Sequence, residues 1–179
     1  MPIVYEEEIR KKAVLDVAEK MLIAARTAPK ARGVDNLVIS VAEKDTIELI
    51  ASKMKEMAEE GLVPDFFVRD ANNILLSDAL VLIGTKISPM GLKYCGLCGF
   101  SNCEEKRRHP NHPCAFNTGD LGIAIGSAVS VAADARVDNR VMYSVGMAVK
   151  ELKLLGDEVK IVYAIPLSAK GKSPFFDRK

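Results

Sequence analysis

All four cysteines of this chain lie within twenty residues, in the run Cys95-Gly-Leu-Cys98-Gly-Phe-Ser-Asn-Cys103 and at Cys114. Four thiols this close together match the four donors that zinc or an iron-sulfur cluster takes. Gly96 and Gly99 each follow a cysteine. Glycine turns the backbone sharply and lets an N–H approach a neighbouring sulfur, which an anionic cluster needs. CxxCxxxxC with a further cysteine downstream wraps three corners of a [4Fe-4S] cube locally and returns the fourth ligand from further along. Zinc more often takes two CxxC knuckles, and this chain has one. His109 and His112 can stand in for a cysteine in a mixed site, so zinc stays open beside the iron-sulfur reading. On either reading the metal ligands are Cys95, Cys98, Cys103 and Cys114, bound as thiolates.

The rest of the chain alternates helix and strand patterns. Apolar residues at Ile9, Ala13, Val14, Val17, Ala18, Met21 and Leu22 mark one face of a helix over 6–25, with Glu6, Glu7 and Glu8 in its first turn. Pro29 ends it. Arg26, Lys30 and Arg32 fall in the turn that follows, where they either bind phosphate or finish the helix with polar groups. A strand over 37–42 comes next. A capping box at Asp45-Thr46-Ile47-Glu48 then opens a helix that stops at Gly61. A short strand is expected over 66–68 and a short helix over 70–76. The continuous apolar run 79–85 has the length of a strand buried in the middle of a sheet.

Residues 86–117 show little periodicity and hold the whole cysteine constellation. A connection of that length needs something to order it, and a metal supplies that. Thr118 is the expected cap of a helix over 119–135, whose Gly122, Ala124, Gly126, Ala128, Ala132 and Ala133 suit burial on most sides. A further helix is expected from Asp138 or Asn139 to Leu155, stopped by Gly156. In the last strand, 158–165, Val159, Ile161, Tyr163 and Ile165 share one face.

At 179 residues, with 49% hydrophobic and 27% charged residues, the chain suits one globular domain over 1–179, with 86–117 as a metal-binding loop within it. A net charge of +1 gives no reason to expect a nucleic-acid partner. The longest apolar stretch, 121–133, falls short of the ~20 residues that span a bilayer, so no membrane association is expected. The first residues lack a basic and then apolar signal pattern, and a cytoplasmic location is expected, where thiols stay reduced. Lys106, Arg107 and Arg108 lie inside the cysteine loop. They offset thiolate charge or dock an acidic redox partner, or they are a solvated run balanced by Glu104 and Glu105. No Walker A, HExxH, GxSxG or complete GxGxxG sequence is present, and no catalytic residue is identified.

The CGxCGxxxC core resembles the [4Fe-4S] segments of corrinoid iron-sulfur proteins and electron-transport subunits. Over its whole length the chain is similar to a family of uncharacterised proteins containing a ferredoxin-type domain. Ala25-Arg26-Thr27-Ala28-Pro29, with Asn36, resembles the segment after the first helix of flavin-dependent nitroreductases. Val162-Tyr163-Ala164-Ile165-Pro166-Leu167, followed by Lys170, Lys172 and Arg178, resembles their closing strand and basic tail. This resemblance implies an α+β, nitroreductase-like three-layer fold with a small mixed sheet of about four strands and four larger helices. It also implies a homodimer about the long, small-residue helix, and a flavin phosphate near Arg178. Nitroreductases carry Arg-x-Ser-x-Arg ahead of the first helix, whereas this chain has Val4-Tyr5-Glu6-Glu7-Glu8. FMN is therefore held differently, by Arg26 or Arg32, or its site is lost. The functional expectation is an iron-sulfur redox protein passing single electrons to a partner protein, flavin-linked if FMN binds. The alternative is a zinc-stabilised binding protein with no chemistry of its own.

Overall fold

Residues 3–176 are described in the computed structural model of the chain. The apolar run of the sequence analysis becomes strand β2 (Ala79–Lys86), which lies between β1 (Leu37–Ala42) and β4 (Val159–Ser168), while the two-residue β3 (Asp138–Asn139) sits on the outer side of β4. Successive β2 side chains point to opposite faces, so this strand serves two cores at once. Leu80 and Leu82 join Val162 and Ala164 under α2 (Lys44–Glu59), α3 (Phe66–Ile74) and α6 (Tyr143–Glu151). Ala79, Val81 and Ile83 join Ile165 and Leu167 under α1 (Glu6–Thr27) and α5 (Ala115–Asp134). Three layers result, helices over sheet over helices. Each fully buried Leu, Val or Ile on β2 stabilises this arrangement by about 2 kcal/mol.

Every strand pairing among the described residues is antiparallel, where a mixed sheet was expected. The helix pair α2 and α3 runs out and back between β1 and β2. The chain therefore leaves β1 and enters β2 at one end, with Ala42 opposite Leu80. Strand β4 carries an irregularity. Ile161 pairs with Thr85, but Val159 pairs with Lys86, so Lys160 is the extra residue of a β-bulge. A bulge reverses the alternation beyond it. Val159 consequently packs in the α2–α6 core, and not beside Ile161, Tyr163 and Ile165, which face α1 and α5.

Other boundaries shift for local reasons. The expected 66–68 strand is the start of α3, whose buried Phe67, Ala71 and Ile74 recur at helical spacing. Helix α2 begins at Lys44, and no side chain caps it. Helix α5 starts a turn before Thr118, whose Oγ1 donates to the Ala115 carbonyl at 2.9 Å and so lies inside the helix. Asp138 and Asn139 pair with the end of β4, which delays α6 to Tyr143. Helix α5 is also less enclosed than expected: Leu121, Ala124, Ala128 and Ala132 form its buried face. A Cβ added at Gly119, Gly122 or Gly126 would meet nothing within 4 Å. The tight contact lies in α6, where a Cβ on Gly146 would land inside the Val162 carbonyl of β4.

Helix α1 ends in a polar knot. Ala28 N donates to Ala24 O at 3.0 Å, and the Lys30 ammonium donates to the carbonyls of Ala25 (3.0 Å), Ala28 (2.9 Å) and Arg26. Arg26 donates to Asp35 Oδ2 at 2.6 Å and to the Leu37 carbonyl at 3.2 Å, while Leu37 N donates to Asp35 Oδ1 at 2.9 Å. Partial burial would raise the Asp35 carboxyl, but the bonds from Arg26 and Leu37 and the nearby Lys30 charge hold it below its ordinary value.

Gly146→Ala is expected to lower stability by about 3 kcal/mol, and Gly126→Ala to raise it by about 0.5–1 kcal/mol, both read from urea midpoints. The depressed Asp35 carboxyl contributes stability that is present above the unfolded value of about 3.9 and is lost as pH falls through the lower folded value. Asp35→Asn should cost about 1 kcal/mol at pH 7, allowing for solvent screening of the half-exposed Arg26. The wild-type and Asp35→Asn denaturation midpoints should converge as pH is lowered from 5 to 2.

Candidate metal centre

The cysteine segment grows from the end of β2, and its root is fastened at several points. Lys86 N donates to the Asn36 carbonyl at 3.0 Å and Ser88 N to Asn117 Oδ1 at 2.7 Å. Arg32 Nη1 donates to the Met90 carbonyl at 2.7 Å, and Ala31 N to Asp120 Oδ1 at 3.0 Å. Asn117 and Asp120 are buried polar residues one turn apart on α5. They hold the first turns of that helix against the root of the loop and the 3-10 turn Ala31–Gly33. Neither was recognised from sequence, although two polar residues three apart at the start of an apolar helix were the available signal.

Beyond the root the cysteines fall into two pairs. Cys95 and Cys98 are half-buried in a loop that Gly99 turns with φ +87°, and Gly99 N donates to the Gly96 carbonyl at 3.0 Å. Cys103 and Cys114 are buried at helix starts. Cys103 is the first residue of the short helix α4 (Cys103–Arg107), and Cys114 is the N-cap position of α5. Helix α4 forms because Asn102 Oδ1 accepts from Glu105 N at 2.9 Å. In return the Glu105 carboxylate accepts from Ser101 N at 2.8 Å and Ser101 Oγ at 2.5 Å. These Ser101 bonds hold Glu105 below its ordinary value. Asn102-x-x-Glu105 is a capping-box signature that the sequence itself carries.

The donor set fits a thiolate-bound metal in its chemistry: all four thiols are free, and no further cysteine occurs in the chain. They are not gathered at one point, since no three His, Cys, Asp or Glu side chains among the described residues converge as a metal site. The histidines are engaged with an aromatic ring. His109 stacks on Phe100 at 4.8 Å between centroids, and His112 packs edge-on to both rings. Beside Cys95 lies a cavity of about 510 Å³, lined by Leu92, Tyr94, Leu97, Ser101 and Phe116.

The basic residues separate. Arg26 and Lys30 finish α1, as described above. Arg32 reaches the loop root. Arg178 lies outside the described residues. Within the loop, Lys106 is buried while Arg107 and Arg108 are exposed, so the three are not one solvated run. Among the described residues no helix is long and apolar enough to cross a membrane.

Three solved structures show the same fold at low sequence identity. A nitroreductase family protein from Clostridium novyi NT has a TM-score of 0.58 at 17% identity, covering 86% of this chain and 73% of its own. A BluB-like flavoprotein from Clostridium difficile 630 has a TM-score of 0.54 at 20% identity, covering 88% and 84%. A putative nitroreductase in complex with FMN from Desulfovibrio desulfuricans has a TM-score of 0.58 at 9% identity, covering 92% and 78%. The fold is therefore nitroreductase-like. The model of the family described as "Uncharacterized protein containing a ferredoxin domain (DUF2148)" matches residues 111–178, which take in Cys114 but not the other three cysteines. An "Uncharacterized protein" of Archaeoglobus fulgidus is 41% identical over 182 residues, spanning 97% of this chain and 96% of that protein. With a relative matched over almost its full length, the chain belongs to this family of ferredoxin-domain proteins, built on a nitroreductase-like α+β fold.

Proposed function

We propose that the chain is a redox protein whose Cys95, Cys98, Cys103 and Cys114 ligate a [4Fe-4S] cluster. The observation that carries this reading is the confinement of all four free thiols to one segment between β2 and α5, two of them anchored at helix starts. Ferredoxin-domain family membership and the flavoprotein neighbours support a redox role. A bound [4Fe-4S] cluster supplies one-electron chemistry.

The residues divide the work. Cys103 and Cys114 are already buried, and would give the site its fixed, water-poor side. Cys95 and Cys98, carried on a loop with glycines at 96 and 99, would close onto the fixed pair. Phe100, with His109 stacked on it and His112 edge-on, would limit solvent on the outer side, and the apolar cavity at Tyr94, Leu97 and Phe116 leaves a route for a redox partner. Because the thiols are not gathered beforehand, ligation and ordering of the 92–114 segment would be coupled.

Protein purified without oxygen is expected to be brown, with about four irons and four acid-labile sulfides per chain. Cys98→Ser should remove most of that iron while leaving the α-helical circular dichroism intact. Removal of the metal should lower the melting temperature and speed amide exchange over 92–114 more than elsewhere. Stoichiometric zinc with neither iron nor flavin would replace the redox reading with that of a zinc-stabilised binding protein. Flavin recovered with the iron would make it a flavin-linked oxidoreductase.

A further inference from the structure

Two arginines from distant parts of the chain meet at Gly91. This residue has φ +71°, and a Cβ built on it would lie 3.5 Å from Arg107 Nη2 and 3.9 Å from Arg32 Nη1. The two guanidinium tips thus converge on one point, one from the 3-10 turn after α1 and the other from α4. Like charges repel, so such a pairing is ordinarily held by a carboxylate between them. None serves here: neither Arg32 nor Arg107 forms an ion pair with any described carboxylate. Of the acids of the neighbouring segments, Asp35 is committed to Arg26 and Lys30, Asp120 to Ala31 N and Glu105 to Ser101, while the exposed Glu104 pairs with neither arginine.

Further features mark the place. Arg32 has φ +56°, in the left-handed region that non-glycine residues seldom occupy, and strain of this kind persists where the surroundings hold a residue for use. Arg32 spends one donor on the Met90 carbonyl and keeps the rest of its fork, since a guanidinium has five N–H groups. The surplus of donors continues around the loop root, because Asn117 Nδ2 is buried without an acceptor while its Oδ1 holds Ser88 N. Both arginines are exposed, so a ligand can reach them.

We propose that Arg32 and Arg107, converging over Gly91, form a binding site for a phosphate-class oxyanion at the loop root. A tetrahedral dianion would accept from both forks and remove their repulsion, which planar, multidentate guanidinium groups do well. The site lies at the end of α1 remote from Glu6, Glu7 and Glu8. Because α4 begins with Cys103, an oxyanion held by Arg107 would also steady the cysteine segment. The oxyanion is either free or the terminal phosphate of a larger ligand.

The test is calorimetric titration of the full chain, purified anaerobically, with inorganic phosphate against chloride at equal ionic strength, with iron measured on the same samples. Phosphate is expected to bind and to raise the melting temperature. Arg32→Gln and Arg107→Gln should each weaken binding about tenfold, Arg107→Lys should restore part of it, and Lys150→Gln on α6 should change nothing. Titration with FMN and riboflavin separates the sources. An FMN preference that vanishes in the double Gln variant assigns the oxyanion to the flavin phosphate; equal flavin affinities with phosphate binding intact assign it to a free oxyanion. Absence of any phosphate effect beyond that of chloride overturns the proposal, as does an equal loss in Lys150→Gln. If the Gln variants lose iron while phosphate has no effect, the arginines serve only to balance the thiolates and the proposal fails. Iron content is an independent readout, so an iron-free chain that binds phosphate would overturn the redox reading and leave this site standing.

Discussion

Burial of β2 on both faces is the constraint on which the rest of this molecule depends. A strand with apolar side chains in both directions is stable only when covered twice. Leu80 and Leu82 call for the α2, α3 and α6 layer, while Ala79, Val81 and Ile83 call for α1 and α5. Its antiparallel neighbours satisfy its backbone along its length. The close approach of α6 to β4 at Gly146 and the bulge at Lys160 both act at the edge of this arrangement. They adjust the packing without altering the layers. What leaves the end of β2 at Lys86 is therefore launched from the most rigid part of the chain.

That rigidity extends only part of the way into the cysteine segment. Asn117, Asp120 and Arg32 tie down residues 86–90 and the 3-10 turn through single hydrogen bonds of 2.7–3.0 Å. Each has a buried or half-buried partner, so each counts for more than a surface contact would. Beyond Gly91 the order comes from local caps, chiefly the reciprocal pair of Asn102 and Glu105. The four thiols inherit this gradient. Cys103 and Cys114 sit in positions set by helices, and Cys95 and Cys98 in positions set by a glycine-punctuated turn. A loop built in this way keeps two donors in place and lets the other two adapt.

Much of this was legible from residues alone, because it rests on periodicity. The 79–85 run, the 37–42 strand, the face of α2 and the Val14, Ala18 and Met21 part of the α1 face follow from apolar spacing, while Ile9 and Ala13 of the expected α1 face are exposed. The misreadings occur where long-range partners decide. Val159 looked like the first of an alternating series, and a bulge opposite Lys86 turned it to the other face. Asp138 and Asn139 look like helix caps, but the end of β4 offered them a ladder. Thr118 was a sound N-cap by type, yet buried packing carried the helix back to Ala115. The cysteines announced themselves by composition. The residues that brace them did not, since a buried Asn or Asp on an apolar helix acquires meaning only when Ser88 and Ala31 arrive opposite it.

Charge is placed unequally at the two ends of α1. At its start Glu6, Glu7 and Glu8 complement the helix dipole, and Arg10 is already paired with Glu6. That end repels an anion. At its other end Lys30 and Arg26 saturate the terminal carbonyls and Asp35, so those two cations are spent on ending the helix. Arg32, one residue beyond Ala31, escapes both tasks because its left-handed backbone turns it away from α1 and towards Met90. The same local geometry that terminates the helix therefore delivers a guanidinium with no ion pair among the described residues to the root of the cysteine loop, where Arg107 arrives from α4.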